Sequence, residues 1–140
     1  MRLLVLFFLF TTSLTVTAQK EQAQVKAPRI TLEKKLNQAI TTNDVAIKLI
    51  KVLNDSRCPK GVNCIRAGEA KIMVEIIEAG KVAKFREVVI QGSIHPDYYP
   101  LIYKDKDKNT SFFGVDLLPY PVNNVTTPPE DYSLKIEVRK

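Results

Sequence analysis

The chain has 140 residues, a formal charge of +6, 45% hydrophobic residues, two cysteines, one histidine and no tryptophan. That length fits one domain of common size. Two cysteines and one histidine fall short of a tetrahedral zinc set, and the basic residues are dispersed among acidic ones, so no nucleic-acid stripe is expected.

At the start of the chain, Arg2 precedes an unbroken apolar run from Leu3 to Phe10, and Val16-Thr17-Ala18 supplies small residues before Gln19. This pattern predicts a signal peptide over residues 1–18 and an exported protein, periplasmic or secreted. The run is shorter than the roughly 20 residues of a bilayer span, so no transmembrane segment is expected in the mature chain. A lipoprotein would carry a cysteine at the cleavage point, and the first cysteine is Cys58. Residues 19–28 are polar and aperiodic and read as a flexible leader, which leaves 29–140 as one domain.

Within that domain, Ile30 and Leu32 alternate over Arg29 to Leu36, and Thr41-Thr42-Asn43-Asp44 reads as a turn before Val45, Ile47 and Leu49 resume a period of two. Residues 34–41 are ambiguous, since Leu36 and Ile40 are also spaced for one helical turn. Glu69 to Glu78 predicts a strand with Ala70, Ile72, Val74 and Ile76 on one face. Ala79-Gly80-Lys81 marks a tight turn into a second strand over Val82 to Ile90, so 69–91 reads as a β-hairpin.

Gly92 to Thr110 reads as a long connection, and Ser111 to Leu118 as a strand with Phe113, Val115 and Leu117 inward. Pro119, Pro121, Pro128 and Pro129 exclude a central strand there. Tyr132, Leu134, Ile136 and Val138 then alternate with Ser133, Lys135, Glu137 and Arg139, predicting a closing strand with one buried and one wet face. About seven short strands without a strong helix predict an all-β fold, a single β-sandwich of immunoglobulin-like arrangement.

Chemistry concentrates in Asp55-Ser56-Arg57-Cys58-Pro59-Lys60-Gly61-Val62-Asn63-Cys64-Ile65-Arg66. In an oxidising compartment Cys58 and Cys64 pair with each other, because no third thiol competes. The ring so closed contains Pro59 and Gly61, which supply a fixed φ and tolerance of positive φ. Arg57, Lys60 and Arg66 make it a candidate interaction loop, the alternative being a plain staple between two strands with Arg57 paired to Asp55 or a neighbouring acid. Tyr98, Tyr99 and Tyr103 form a candidate aromatic contact, the alternative being rings packed across an open end of the sandwich.

Catalysis is not expected, and neither is a cofactor. Ser56 and His95 lack a nucleophile elbow and a placed partner. Asp105, Asp107, Asn109 and Asp116 have the spacing of a calcium loop, but Thr110 replaces its glycine, Asp116 its closing glutamate, and Lys104, Lys106 and Lys108 would repel a dication.

The run Asp55-Ser56-Arg57-Cys58-Pro59, with Cys64 and Ala67-Gly68-Glu69-Ala70, resembles a motif of small exported proteins and lipoproteins, without a defined activity, of Bacteroidetes-type bacteria. Leu117-Leu118-Pro119-Tyr120-Pro121 and Tyr132-Ser133-Leu134 are similar to that group as well, and the resemblance covers most of residues 45–140, with the cysteine loop its specific part. Arg66 departs from it, standing where tryptophan is common. The resemblance implies a bacterial envelope location and no mechanism. Two functions then compete: a non-catalytic module binding an unknown protein or glycan of the envelope, and an inhibitor that offers a secreted hydrolase the basic loop 57–66.

Overall fold

The computed structural model describes residues 29–42, 44–92, 95–123 and 125–140. The signal peptide and leader expected over 1–28 lie outside the described residues. Eight strands form: β1 (Ile30–Lys35), β2 (Ala39–Thr42), β3 (Val45–Asp55), β4 (Glu69–Glu78), β5 (Lys84–Gln91), β6 (Leu101–Asp105), β7 (Thr110–Leu118) and β8 (Ser133–Arg139). They build two four-stranded antiparallel sheets, ordered β1-β8-β7-β6 and β2-β3-β4-β5. The all-β sandwich expected from the strand pattern is thus the fold. Its connectivity differs from the immunoglobulin arrangement, in which the third strand already crosses to the second sheet. Here β2 to β5 and β6 to β8 are runs of sequential hairpins, and β1 pairs with β8 to complete the sheet of β6 to β8.

The core lies between the sheets. Ile47, Leu49, Ile72, Val74 and Ile90 from one sheet and Ile102, Phe112, Leu117, Leu134 and Ile136 from the other are fully buried. The β4–β5 hairpin follows its alternation, Ala70, Ile72, Val74 and Ile76 facing inward. Its second strand begins at Lys84 rather than Val82, which is exposed in the turn.

Four strands depart from simple alternation, β6 among them through a shift between Leu101 and Tyr103. In β7 the register to β8 shifts between Gly114 and Asp116, so Val115 is an extra residue on the bulged strand. Phe112, Gly114 and Leu117 face inward, while Phe113 and Val115 are only half-buried. The expected inward set Phe113, Val115 and Leu117 was out of phase before the bulge, since one inserted residue exchanges the two faces. In β3 two shifts act in succession, between Leu49 and Lys51 and between Val52 and Asn54. Val45, Ile47 and Leu49 face inward, the phase passes to Val52, and the second shift returns it to Asp55 opposite buried Ala70. In β8 the outer face is not uniformly wet. Glu137 is buried beneath Arg29 and Arg139, and the Ser133 hydroxyl donates to Glu33 Oε1 at 2.7 Å.

Two further differences concern extent. Thr41 and Thr42 pair with Ala46 and Val45, so they belong to β2 and the turn narrows to the residues before Val45. β6 occupies part of the expected long connection, contributing fully buried Ile102 against β7. One end of the sandwich gathers the β1–β2, β3–β4 and β7–β8 connections and the start of the β5–β6 connection. Leu36 N–H donates to Tyr132 O, Lys60 N–H to Pro121 O and Gly92 N–H to Gly68 O across this end.

Candidate functional site

The disulfide loop is the β3–β4 connection. Ser56 N–H donates to Glu69 O at 2.9 Å and Cys58 N–H to Ala67 O at 2.8 Å, so the antiparallel ladder continues beyond the strands and only 59–66 forms the tip. Cys58 and Cys64 are disulfide-bonded, with Cα atoms 6.0 Å apart. Gly61 turns the tip at φ 78°, where a side chain is disfavoured but space is open. Gly68 answers a stricter demand, since at φ 68° a Cβ would stand 1.9 Å from the carbonyl oxygen of Ser56. Only glycine lets the two sides of the loop base meet.

Beneath this base sits Arg57. Residues i and i+2 of an extended chain share a face, so once the second β3 shift turns Asp55 inward, Arg57 follows it. Its Nε donates to Asp55 Oδ1 at 2.8 Å and its Nη2 to Asp55 Oδ2 at 2.7 Å, a two-pronged pair. Nη1 donates to Asp116 Oδ1 at 3.3 Å and to the Leu117 carbonyl, and Nη2 also to the Pro119 carbonyl at 3.1 Å. The guanidinium lies 4.6 Å from the centre of the Tyr120 ring, and the Tyr132 hydroxyl donates to Asp55 Oδ2 at 3.2 Å.

The electrostatics follow from this enclosure. Burial alone would raise the Asp55 carboxyl, but the hydrogen bonds and charge of Arg57 outweigh it and hold the group below its ordinary 3.8. Burial likewise works against the Arg57 cation, and Asp55 and Asp116 overcome it, raising the guanidinium further. Burial and the negative Asp55 push the Tyr132 phenol up.

The structure therefore divides the candidate interaction residues. The Arg57 side chain is 0% exposed and is a pin, not a contact, which removes it from the basic face an inhibitor would offer to a trypsin-like pocket. Lys60 and Arg66 are exposed. Between them the tip presents Val62 and a fully exposed Ile65, apolar residues that the sequence reading passed over in favour of charge.

The tyrosines do not form one platform. Tyr98 is exposed and meets His95 edge-on at 6.3 Å, Tyr103 lies in β6 against Phe112 at 6.1 Å, and Tyr99 lies beside the Arg139 guanidinium. Tyr99 shares a cleft of about 370 Å³ with Lys60, Gln91, Asp116, Tyr120 and Lys135. One member of each candidate set thus comes together. Tyr120 and Lys135 were missed as site residues; the Leu117–Pro121 run was the available signal for the first, and Lys135 read simply as the wet face of β8.

The other chemistry considered has local explanations. The Ser56 hydroxyl donates to Glu69 O at 2.9 Å. Exposed His95 accepts a hydrogen bond from Asp97 N–H through Nδ1 at 3.4 Å. Asp105 Oδ1 accepts from the N–H groups of Asp107 and Lys108, closing the β6–β7 turn, while Asp116 is committed to Arg57. Among the described residues, no three His, Cys, Asp or Glu side chains converge as metal ligands. No helix among them is long and apolar enough to cross a membrane. Comparison with protein-family models, curated proteins and solved structures finds no match to this chain.

Proposed function

We propose that this protein is an exported, non-catalytic binding module of the bacterial cell envelope that meets a protein or glycan partner with its disulfide loop. The observation that carries the reading is the buried Arg57, which ties the loop base to β3, β7 and the segment after β7 through Asp55, Asp116 and the carbonyls of Leu117 and Pro119. A tip held by a disulfide and a buried ion pair has little conformational freedom to lose on binding. Its outward residues, Lys60, Val62, Ile65 and Arg66, combine apolar surface with positive charge. Ile65 adds to this, its side chain being fully exposed and covered by none of the described residues.

The test is retention of envelope components by the immobilised, periplasm-expressed protein, compared with Ile65→Asp and Arg66→Glu variants and with Phe85→Asp on the distant β5 strand. A component lost with the tip variants and kept with the β5 variant supports the reading. Retention indifferent to the tip refutes it. If the retained component is a hydrolase whose activity falls in the complex, the inhibitor reading gains, now resting on Lys60 and Arg66 in place of Arg57.

A further inference from the structure

We propose that the cleft of about 370 Å³ beside the loop is a subsite for an acidic sugar, with the carboxylate of a uronate-type residue against Lys60 and Lys135. The inference rests on the binding-module reading and deepens it by assigning a ligand class to a cleft that shares Lys60 with the loop tip and is not lined by Val62, Ile65 or Arg66.

Charge is the first argument. Among the described residues, neither Lys60 nor Lys135 has a carboxylate within ion-pair distance. The carboxylate in the lining, Asp116, is already engaged: its Oδ1 accepts from Arg57 Nη1 at 3.3 Å and from the Leu117 N–H at 2.8 Å. Arg57, Lys60 and Lys135 stand against Asp55 and Asp116 in this region, leaving an excess of one positive charge. Two ammonium groups with spare donors suit one carboxylate, which accepts at both oxygens.

Ring surface is the second. Tyr120 is fixed by Arg57 over its ring, and its hydroxyl is so close to Gly92 that a Cβ there would lie 2.6 Å from it. Arg139 lies 4.2 Å from the centre of Phe113 and 6.0 Å from that of Tyr99, which also lines the cleft. Two tyrosines lining the cleft offer apolar ring surface to sugar C–H groups at low ordering cost. Gln91 adds an amide with both donors and an acceptor, matched to neighbouring hydroxyls. Lysine pair, rings and amide together favour a charged carbohydrate over a bare anion or a neutral sugar.

The experiment is calorimetric titration of the periplasm-expressed protein with short oligogalacturonates and oligoglucuronates, their methyl esters and inorganic phosphate. The expected result is binding of an acid form, weaker or absent binding of its ester, and a loss of about tenfold or more in the Lys60→Met/Lys135→Met double variant. Lys106→Met removes an exposed charge in the β6–β7 turn, outside both the cleft and the loop tip, and should change affinity by only about twofold, as screened long-range charge does. Far-UV circular dichroism and thermal melting confirm that each variant is folded. The inference is overturned by no uronate binding, by equal binding of acid and ester, by equal losses in the Lys106 and double-lysine variants, or by phosphate binding without uronate binding. Loss of uronate binding as a hypothesis leaves the module reading intact if tip-dependent capture persists, and the reverse result leaves the cleft and removes the tip.

Discussion

Arg57 and Asp55, two residues apart in the chain, form a two-pronged ion pair with distances of 2.8 and 2.7 Å, and the arginine side chain has no solvent exposure. Such a pair adds little over a well-packed apolar substitute, yet removal of one partner leaves a buried uncompensated charge. Arg57→Ala is therefore expected to destabilise the domain by about 3–5 kcal/mol, measured as a lower urea midpoint. Arg57→Lys should recover only part of it, because an ammonium cannot span both Asp55 oxygens while reaching the Leu117 and Pro119 carbonyls. Equal stability of the Ala and Lys variants would contradict the importance of the fork.

At the opposite end of the sandwich, Glu78 accepts from Lys81 Nζ at 2.5 Å and Lys84 Nζ at 3.0 Å. These lysines lower its carboxyl from the ordinary 4.5 to about 2, against the opposing effect of burial. A carboxyl whose folded value lies below its unfolded one stabilises the fold above the unfolded value and loses that contribution as pH falls. Stability should thus hold above about pH 4.5 and decline towards pH 2, through the window set by the two values. Asp55, also lowered, acts in the same direction. Urea midpoints measured across this range should show a shallower decline for Glu78→Gln; an unchanged slope would remove Glu78 as a contributor.

The two glycines of the disulfide loop should respond differently to alanine. At Gly61 the positive φ is the whole cost, since nothing lies within 4 Å of the added Cβ, and about 1–2 kcal/mol is expected. At Gly68 the same kind of conformation is joined by a 1.9 Å approach to backbone, which no rotamer change relieves. Gly68→Ala should open the loop base, giving a larger loss of thermal stability and faster amide exchange at Ser56 and Cys58. Similar melting temperatures for the two variants would argue against the close approach.

What the sequence made legible was local. The β4–β5 hairpin, the inward residues of β8 and the Cys58–Cys64 pairing follow from alternation, a glycine turn and a count of thiols. What it concealed depended on residues far apart. β6 is short, shares its region with the charge run Lys104–Lys108 and makes one full core contribution, Ile102, so its period is too brief to stand out. Arg57 could be read as a loop charge or as a partner of Asp55, and the two β3 shifts that turn it inward to that partner leave no mark in composition. The meeting of Lys60, Tyr99, Tyr120 and Lys135 joins four connections and strands, a relationship that only the packed sheets create.

The β7 bulge gives the sharpest test of that difference between pattern and packing. A strict period of two places Phe113 inward; the register places Phe112 there, fully buried, and leaves Phe113 half-buried under the Arg139 guanidinium 4.2 Å away. Phe112→Ala removes a ring from the centre of the core and should cost about 3–5 kcal/mol. Phe113→Ala loses partial burial and a cation–π contact, the latter about 0.5–2 kcal/mol, while the core beneath it stays filled. Chemical denaturation of both variants decides the phase, since the larger loss must fall on Phe112 if Val115 is the inserted residue. A larger loss at Phe113 would restore the uninterrupted alternation and move the bulge elsewhere, and with it the placement of Asp116 beside Arg57.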